Sequence, residues 1–267
     1  MTMDIKSGDP WWSISNGLIS TWPELVDDRS VEIVVVGAGV TGALVADSLV
    51  EAGHEVLMID RRDVGTGSTS ASTAMLQYEL DVELQDLAEM YDAQSAVSVY
   101  RACESAIDDL EAIVDRLPGK AGFKRNRSLY FAGRHLHRRR LQREFEIRRK
   151  HGFDVELLDA AELRAEYNID SPIALLTANA ARIDPYRFTH ALLRDLAKRG
   201  VAVFDRSEMC DYTAQPDHLE LRMASGATLR CQHMVIAAGY ESQQYLPRNV
   251  ANIRSSYALV TEPLERL

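Results

Sequence analysis

Apolar and polar positions follow two different patterns in the first quarter of the chain. Residues 33–36 form an unbroken β-branched run, which is typical of a parallel strand buried on both faces. The next apolar positions recur at helical spacing, and they are Val40, Ala43, Leu44, Ala46 and Val50. A second apolar run ends at Asp60. Residues 31–60 therefore predict a strand–helix–strand unit.

Later segments keep switching between the two patterns. Helical periodicity predicts helices at 82–91 and 94–117, and Pro118 with Gly119 ends the second one. The pair Asp184-Pro185 predicts the start of another helix, because an N-cap acid precedes proline at the first helical position. The remaining predicted elements are strands at 123–131, 155–158, 173–177 and 201–204, helices at 134–150 and from 160, antiparallel strands within 208–236, and a strand at 253–262.

Three glycines lie between the first strand and the helix. Gly37 permits a tight turn, Gly39 lets a pyrophosphate approach the backbone, and Gly42 lets the helix pack close to the sheet. Free N–H groups at the helix start attract phosphate oxygens. Asp60 can accept hydrogen bonds from ribose hydroxyls, and it would repel a 2′-phosphate, although Arg61 and Arg62 follow it directly. The order and spacing of these features predict dinucleotide binding.

The following segment separates the candidate dinucleotides. Residues 65–77 are dense in small hydroxyl side chains and backbone donors, which suit additional pyrophosphate and ribitol contacts. Such a run by itself could equally be a flexible linker. An NAD-binding domain would go on to its third strand here, whereas this chain continues into two long helical patterns. The segment therefore favours FAD over NAD.

Three parts of the chain resemble the D-amino-acid-oxidase-like FAD-dependent oxidoreductases, a group that includes glycine oxidase, sarcosine oxidase and glycerol-3-phosphate dehydrogenase. The first is the unit from Gly37 to Asp60, with Asp where the family more often has Glu. The second is the loop 67–73. The third is the strand 231–236 with the turn Ala237-Ala238-Gly239, preceded by Met209 where the family has its adenine-contacting strand.

The resemblance implies an α/β fold with an α+β second domain. We expect a Rossmann-like FAD-binding domain with a central parallel sheet, and a smaller, incomplete substrate domain with an antiparallel sheet. The predicted division is a leader at 1–30, the FAD-binding domain at 31–118 and 184–250, and a partial substrate domain at 119–183 and 251–267. We expect the tryptophans of the leader to cover an apolar patch.

The resemblance also implies the residues that bind the cofactor FAD. They are Gly37, Gly39, Val40, Thr41, Gly42, Asp60, Arg61, Gly67, Ser70, Ser72, Thr73, Met209, Ala238 and Gly239. Gln77 would approach the flavin ring, and it cannot form the covalent bond that a histidine forms there in some relatives. Tyr257 is a candidate on the substrate side, with strand packing as the alternative. No catalytic residue is assigned, and no metal is expected.

The implied activity is oxidation of a C–N bond in a small amine or amino acid, with hydride transfer to flavin N5. The alternatives are an FAD-dependent dehydrogenase of a hydroxy acid or polyol phosphate, a non-catalytic nucleotide-binding subunit, and an NAD-linked enzyme. Family members continue beyond the position of Leu267, where they supply catalytic groups. We therefore expect a truncated or complemented enzyme that holds FAD weakly or not at all by itself.

Charge and composition limit the partners. The formal net charge of −10 argues against non-specific nucleic-acid binding. The basic segment 134–150 is either a solvated helix face or a surface for an anionic partner, and the interleaved acids favour the first reading. Three separated cysteines without a C-x-x-C motif indicate reduced thiols and a cytoplasmic protein. No membrane span is expected. A homo-oligomer or a complementing subunit is compatible with these features.

Overall fold

A computed structural model describes residues 8–133, 137–246, 248, 250–252, 258 and 261. The chain divides into two compact units. The first contains the residues up to Thr73 and from Asp184 onward, and the second contains Ala74–Ile183. Residues 74–118, placed in the FAD-binding domain in the proposed division, group with the second unit by contacts, since α4 packs on β3 and β6.

The elements follow the predicted order. The first unit begins with α1 (Trp11–Asn16), β1 (Arg29–Val36), α2 (Val40–Glu51), β2 (Val56–Ile59) and a 3₁₀ turn (Ser68–Ala71). The second unit contains β3 (Met75–Gln77), α3 (Leu84–Met90), α4 (Ala93–Arg116), a 3₁₀ turn (Lys120–Gly122), β4 (Lys124–Phe131), α5 (Arg138–Lys150), β5 (Val155–Asp159), α6 (Ala160–Tyr167) and β6 (Ile173–Arg182). The first unit resumes with α7 (Pro185–Lys198), β7 (Ala202–Phe204), β8 (Met209–Ala214), β9 (Leu219–Met223), β10 (Thr228–Ile236) and a 3₁₀ turn (Gly239–Tyr245).

The first unit is built on a six-stranded sheet in the order β7-β2-β1-β10-β9-β8. The strands β7, β2, β1 and β10 are parallel, and β9 and β8 continue the sheet in antiparallel fashion. The prediction of antiparallel strands over 208–236 was therefore incomplete, because β10 also pairs in parallel with β1. The central strands are apolar throughout, and Val34, Val35 and Met58 are fully buried. These features confirm the predicted α/β class.

The second unit contains a four-stranded antiparallel sheet centred on β6. β4 pairs along most of β6, while β5 pairs with Ile173–Thr177 and β3 with Ala180–Arg182. An aromatic cluster packs beside this sheet, in which the rings of Tyr78 and Phe153 stack at 5.6 Å. The predicted antiparallel sheet is confirmed.

The leader contains α1, and its tryptophans differ in exposure: Trp11 is 48% exposed, whereas Trp12 and Trp22 are half-buried. The basic segment agrees in most positions with a solvated helix face, because its other described basic residues are exposed, but Arg148 is buried together with Glu144. Residues 134–136 of that segment, Tyr257 and nearly all of the strand predicted at 253–262 lie outside the described residues. No helix among the described residues has the length and apolarity to cross a membrane.

Candidate functional site

The turn between β1 and α2, residues 37–39, is the centre of the candidate site, and we call it the glycine turn. Gly37 has a φ of 110°, a conformation that favours glycine. A Cβ atom on Gly37 would lie 2.5 Å from the carbonyl oxygen of Ala237, and one on Gly42 would lie 1.8 Å from that of Gly37. The backbone approaches that the motif predicts are therefore present. Gly37 and Gly42 thus allow close packing between backbone segments of the protein itself.

Gly39 faces a side chain that the sequence did not identify. A Cβ atom on Gly39 would lie 2.8 Å from Oγ1 of Thr69, and this oxygen accepts a 2.9 Å hydrogen bond from the N–H of Val40. Thr69 thus caps the first N–H of α2, where Val40 was predicted to meet the cofactor. No acceptor among the described residues meets the N–H groups of Gly39 and Thr41. These two groups are the donors that the helix start offers to an anion.

The 3₁₀ turn Ser68–Ala71, which we call the hydroxyl turn, is packed beside the glycine turn. Ser70 is buried, and its hydroxyl donates to the carbonyl oxygens of Thr66 and Gly67, so Ser70 shapes the turn. The carbonyl oxygen of Ser72 accepts from the indole of Trp12, while Thr73 is exposed. Of the hydroxyl residues predicted to bind FAD, Ser70 and Ser72 therefore have structural contacts within the protein.

The acid that ends β2 holds two backbone donors. Oδ2 of Asp60 accepts a 2.8 Å bond from the N–H of Ala38, and Oδ1 accepts a 2.9 Å bond from the N–H of Arg62. Burial raises the pKa of the Asp60 carboxyl, and the two backbone bonds oppose that rise. Each carboxylate oxygen can still accept a further bond, as contact with ribose hydroxyls requires.

Glu241 pairs with both arginines that follow Asp60. Its carboxylate accepts bonds of 2.9 and 2.8 Å from Arg62 and a further bond from Arg61. Arg62 lowers the pKa of the buried Glu241 carboxyl by hydrogen bonding, and burial opposes this effect. The two guanidinium groups thus share one buried carboxylate within the protein. Sequence reasoning missed Glu241, although its position just after the Ala238-Gly239 turn was a usable signal.

The last predicted segment returns to the same place. The N–H of Ala237 donates a 2.8 Å bond to the carbonyl of Val36, which brings the end of β10 beside the end of β1. Ala238 follows directly, and a Cβ atom on Gly239 would lie 3.7 Å from Oγ of Ser68. The glycine turn, the hydroxyl turn and the Ala238-Gly239 turn therefore meet at one end of the parallel sheet.

Two predicted residues are placed differently. The side chain of Met209 is buried in the core of the first unit, in one cluster with Leu25 and Leu221. Any contact with an adenine at β8 would therefore involve the strand rather than an exposed Met209 side chain. Gln77 ends β3 in the second unit and is exposed.

The assembled donors fit a dinucleotide. Free N–H groups at a helix start, a close-packed glycine turn, a buried carboxylate at the end of the next strand and nearby hydroxyl residues are the groups that pyrophosphate and ribose require. The ion pairs of Glu241 leave neither Arg61 nor Arg62 free for a 2′-phosphate. A dinucleotide without that phosphate, such as FAD, matches this set.

Comparison with known proteins agrees with the geometry. Residues 32–267 match the FAD dependent oxidoreductase family DAO, and the chain belongs to this family. It is 23% identical over 206 residues to YhfW of Bacillus subtilis, which is named as a Rieske 2Fe-2S iron–sulfur protein, and this match covers 77% of the chain. Glycine oxidase from Bacillus cereus superposes with a TM-score of 0.65 at 19% identity over 80% of the chain.

A second solved structure has a similar fold. L-α-glycerophosphate oxidase from Mycoplasma pneumoniae, with FAD bound, superposes with a TM-score of 0.67 at 15% identity over 81% of the chain. The chain spans 40% of the length of YhfW and 56% of the length of each of the two oxidase structures. The family match establishes the family and its cofactor class, FAD. The superpositions on the solved structures support the fold.

Proposed function

We propose that this chain forms the FAD-binding part of an oxidoreductase that oxidises a C–N bond of a small amine or amino acid. The observation that carries the proposal is the meeting of the glycine turn, the hydroxyl turn and the Ala238-Gly239 turn at one end of the parallel sheet. Family membership and the likeness to glycine oxidase support it.

The residues of the chain have separate tasks in this proposal. Bound FAD would supply the hydride acceptor, N5 of the flavin. The N–H groups of Gly39 and Thr41 bind the pyrophosphate at the positive end of the α2 dipole. Asp60 holds the glycine turn through Ala38 and accepts from the ribose. Gly67 and Thr73 flank the hydroxyl turn.

A titration of the 267-residue chain tests the cofactor. Protein is added to FAD, and quenching of flavin fluorescence is followed, with AMP as a competitor. Saturable binding that AMP reverses supports the proposal, and tight, stoichiometric FAD would contradict the expectation that the chain holds FAD weakly or not at all by itself. No saturable binding of either FAD or AMP up to about 1 mM would contradict the assignment of a nucleotide site, since that limit corresponds to less than about 4 kcal/mol of binding free energy.

The second candidate is a dehydrogenase of a hydroxy acid or polyol phosphate. The likeness to L-α-glycerophosphate oxidase favours it. Reduction of an artificial electron acceptor is measured with a panel of amines and amino acids and with a panel of hydroxy acids and polyol phosphates. Turnover on the first panel alone supports C–N oxidation, and turnover on the second alone supports the alternative. FAD binding without turnover on either panel favours a nucleotide-binding subunit that needs a partner.

We also propose a cytoplasmic location. Cys103, Cys210 and Cys231 are free thiols, which fits a reducing compartment. A homo-oligomer or a complementing subunit is the proposed assembly. Sedimentation of the purified chain, alone and with FAD, would distinguish a monomer from a self-associating protein.

A further inference from the structure

Hydrogen bonds connect residues 12–28, which precede the family match, to other parts of the first unit. The match begins at residue 32. Residues 11–28 are the part of the predicted leader that contains α1 and an extended stretch, and from here on the word leader refers to these residues. The leader makes hydrogen bonds with four places in the first unit. Three of them are next to a segment of the candidate FAD site, and the fourth is the β9–β10 turn with the start of β10, which Leu25 and Asp28 contact. This distribution of contacts gives the leader a role that neither the motif nor the family likeness assigns.

The first contact is with the hydroxyl turn. The indole Nε1–H of Trp12 donates a 2.8 Å bond to the carbonyl oxygen of Ser72, the residue that ends this turn. One helical turn later, Nδ2 of Asn16 donates a 2.7 Å bond to Asp184, the N-cap of α7. α1 therefore bridges the hydroxyl turn and the start of α7.

The second contact is with the body of α7. Ser20 Oγ lies 2.7 Å from Nδ1 of His190, and Arg194 donates a 2.6 Å bond to the carbonyl oxygen of Ile19. His190 is buried, and its ring packs edge-to-face on Tyr186. A Cβ atom on Gly65 would lie 3.2 Å from that tyrosine ring, so α7 supports the chain just before the hydroxyl turn.

The third contact is with the connection between β7 and β8. Asp205 accepts a 2.9 Å bond from the N–H of Trp22, and Arg206 donates a 2.8 Å bond to the carbonyl of Trp22. This connection also touches the ribose end of the site, because the N–H of Ser207 donates a 2.7 Å bond to the carbonyl of Asp60. The leader thus supports the hydroxyl turn at one end and the Asp60 region at the other.

We infer that the leader is a strap that positions the hydroxyl turn for the pyrophosphate–ribitol part of FAD, with Trp12 as its principal positioning residue. The inference rests on the proposed function, since it assumes that the hydroxyl turn contacts FAD. Simple packing is the competing explanation, because Leu25 of the leader is buried in the core. The two explanations differ in which ligand loses affinity when the Trp12 contact is removed.

The test compares Trp12→Phe with Trp11→Phe. Phenylalanine at position 12 keeps an aromatic ring but removes the N–H that holds Ser72. Trp11 is 48% exposed and gives a matched control of the same residue type in the same helix. Affinities for FAD and for AMP are measured by fluorescence titration and competition. Hydrogen exchange of the Ser70 and Ser72 amides is measured without ligand, and both amides bond within the turn in the native structure.

The strap predicts a selective effect. Trp12→Phe should weaken FAD binding about five-fold and speed exchange at Ser70 and Ser72 by a similar factor, while AMP binding stays unchanged, because one hydrogen bond is lost at the turn alone. Trp11→Phe should change none of these quantities. A second variant, Asn16→Ala, removes the contact with Asp184 and should show the same selectivity.

Three results would overturn the inference. Unchanged exchange in Trp12→Phe would mean that the turn is ordered without the strap. Equal losses of FAD and AMP affinity would mean general destabilisation. Faster exchange with unchanged FAD affinity would mean that the ordered turn does not serve the cofactor. If the unaltered chain binds neither FAD nor AMP, the proposed function and this role of the leader both fail, and the exchange data show separately whether the leader orders the turn.

Discussion

The Ala38 N–H group donates a 2.8 Å hydrogen bond to the carboxylate of Asp60, so the acid that ends β2 fastens the turn that ends β1. The second oxygen of this carboxylate accepts from the N–H of Arg62. Asp60 therefore organises the site before any ribose is present. Its role in the protein and its proposed role toward the cofactor are coupled through one side chain.

Replacing Asp60 should affect stability and FAD affinity together. Asp60→Asn keeps the shape of the side chain, but its NH₂ group cannot accept a hydrogen bond, so one of the two backbone N–H donors loses its acceptor. Asparagine is uncharged, and the removal of a buried charge offsets part of the lost stability. We expect the free energy of unfolding to fall by about 1–2 kcal/mol and FAD affinity to fall about ten-fold. Urea unfolding and flavin titration measure the two effects. Asp63→Asn is the control, since Asp63 forms a half-exposed pair with Arg206 and should change little.

Replacing a glycine of the motif by alanine should lower the free energy of unfolding by an amount that depends on the atom nearest to the added Cβ atom. In Gly42→Ala the Cβ atom would lie 1.8 Å from a backbone oxygen, which cannot move without opening the turn. We expect a loss of about 3 kcal/mol or more. In Gly39→Ala the neighbour is the Thr69 hydroxyl, which can rotate away at the expense of the Val40 cap, so about 1 kcal/mol is expected. Urea unfolding of both variants would refute this order if Gly39→Ala proved the more destabilising.

The sequence predicted the parts of the site that depend on local geometry. Gly37, Gly42 and Asp60 could be assigned because the turn, the close approach of the helix and the end of the strand each require a particular residue type at a fixed spacing in the motif. Thr69 could not, because its role arises from a contact between segments far apart in the chain. Glu241 follows the Ala238-Gly239 turn directly, but its pairing with Arg61 and Arg62 is likewise visible only in the folded chain.

Glu241 should determine how strongly the site binds a ligand that carries a 2′-phosphate. Removing its charge in Glu241→Gln leaves Arg61 and Arg62 without their buried counter-ion. We expect the affinity for adenosine 2′,5′-bisphosphate, relative to AMP, to rise about ten-fold at low salt, since a guanidinium binds phosphate strongly once it is unpaired. Competition against FAD measures the ratio.

Glu208→Gln gives the matched control for that experiment. Glu208 lies 3.8 Å from Arg61 and is more than half exposed, so its removal should leave the ratio nearly unchanged. An equal rise in both variants would mean that a general change in surface charge, rather than release of the two arginines, governs the selectivity.

In the second unit, α5 carries a buried ion pair that its basic composition conceals. Nε of Arg148 donates a 2.6 Å bond to Glu144, whose carboxylate also accepts from the N–H groups of Leu84 and Gln85 at the start of α3. We expect Glu144→Gln to lower the free energy of unfolding by about 3 kcal/mol, because the buried guanidinium of Arg148 then keeps only Glu79, at 3.2 Å, as a carboxylate partner. Glu146 on the same helix is exposed and gives the control. Glu146→Gln should change the free energy of unfolding by less than about 0.5 kcal/mol in the same urea titration.

This pair also shows what a charge pattern can predict. The basic residues of α5 predicted the helix and its solvated face, with Arg148 as the exception, because Glu144 and Arg148 lie one turn apart and form an ion pair inside the protein. Periodicity in apolar residues cannot reveal a buried polar pair. Only the contacts with the start of α3 show why the pair is buried.

His190 should make stability depend on pH in a defined direction. Burial lowers its pKa from 6.5 to about 4, and the positive charge of Arg194 acts in the same direction. The folded protein therefore holds His190 neutral where the unfolded chain would protonate it. The contribution is full above about pH 6.5 and is lost as the pH falls toward 4.

The expected loss between pH 7 and pH 4 is about 2–3 kcal/mol in the free energy of unfolding, from 1.36 kcal/mol per unit of pKa shift. Urea unfolding is measured at intervals over this range for the native chain and for His190→Gln, which cannot gain the proton. The difference between the two curves isolates His190 from the carboxylates that also titrate there. A constant difference across the range would show that His190 is not held neutral by the fold. A difference that shrinks toward pH 4 would support the buried, neutral ring that Ser20 contacts.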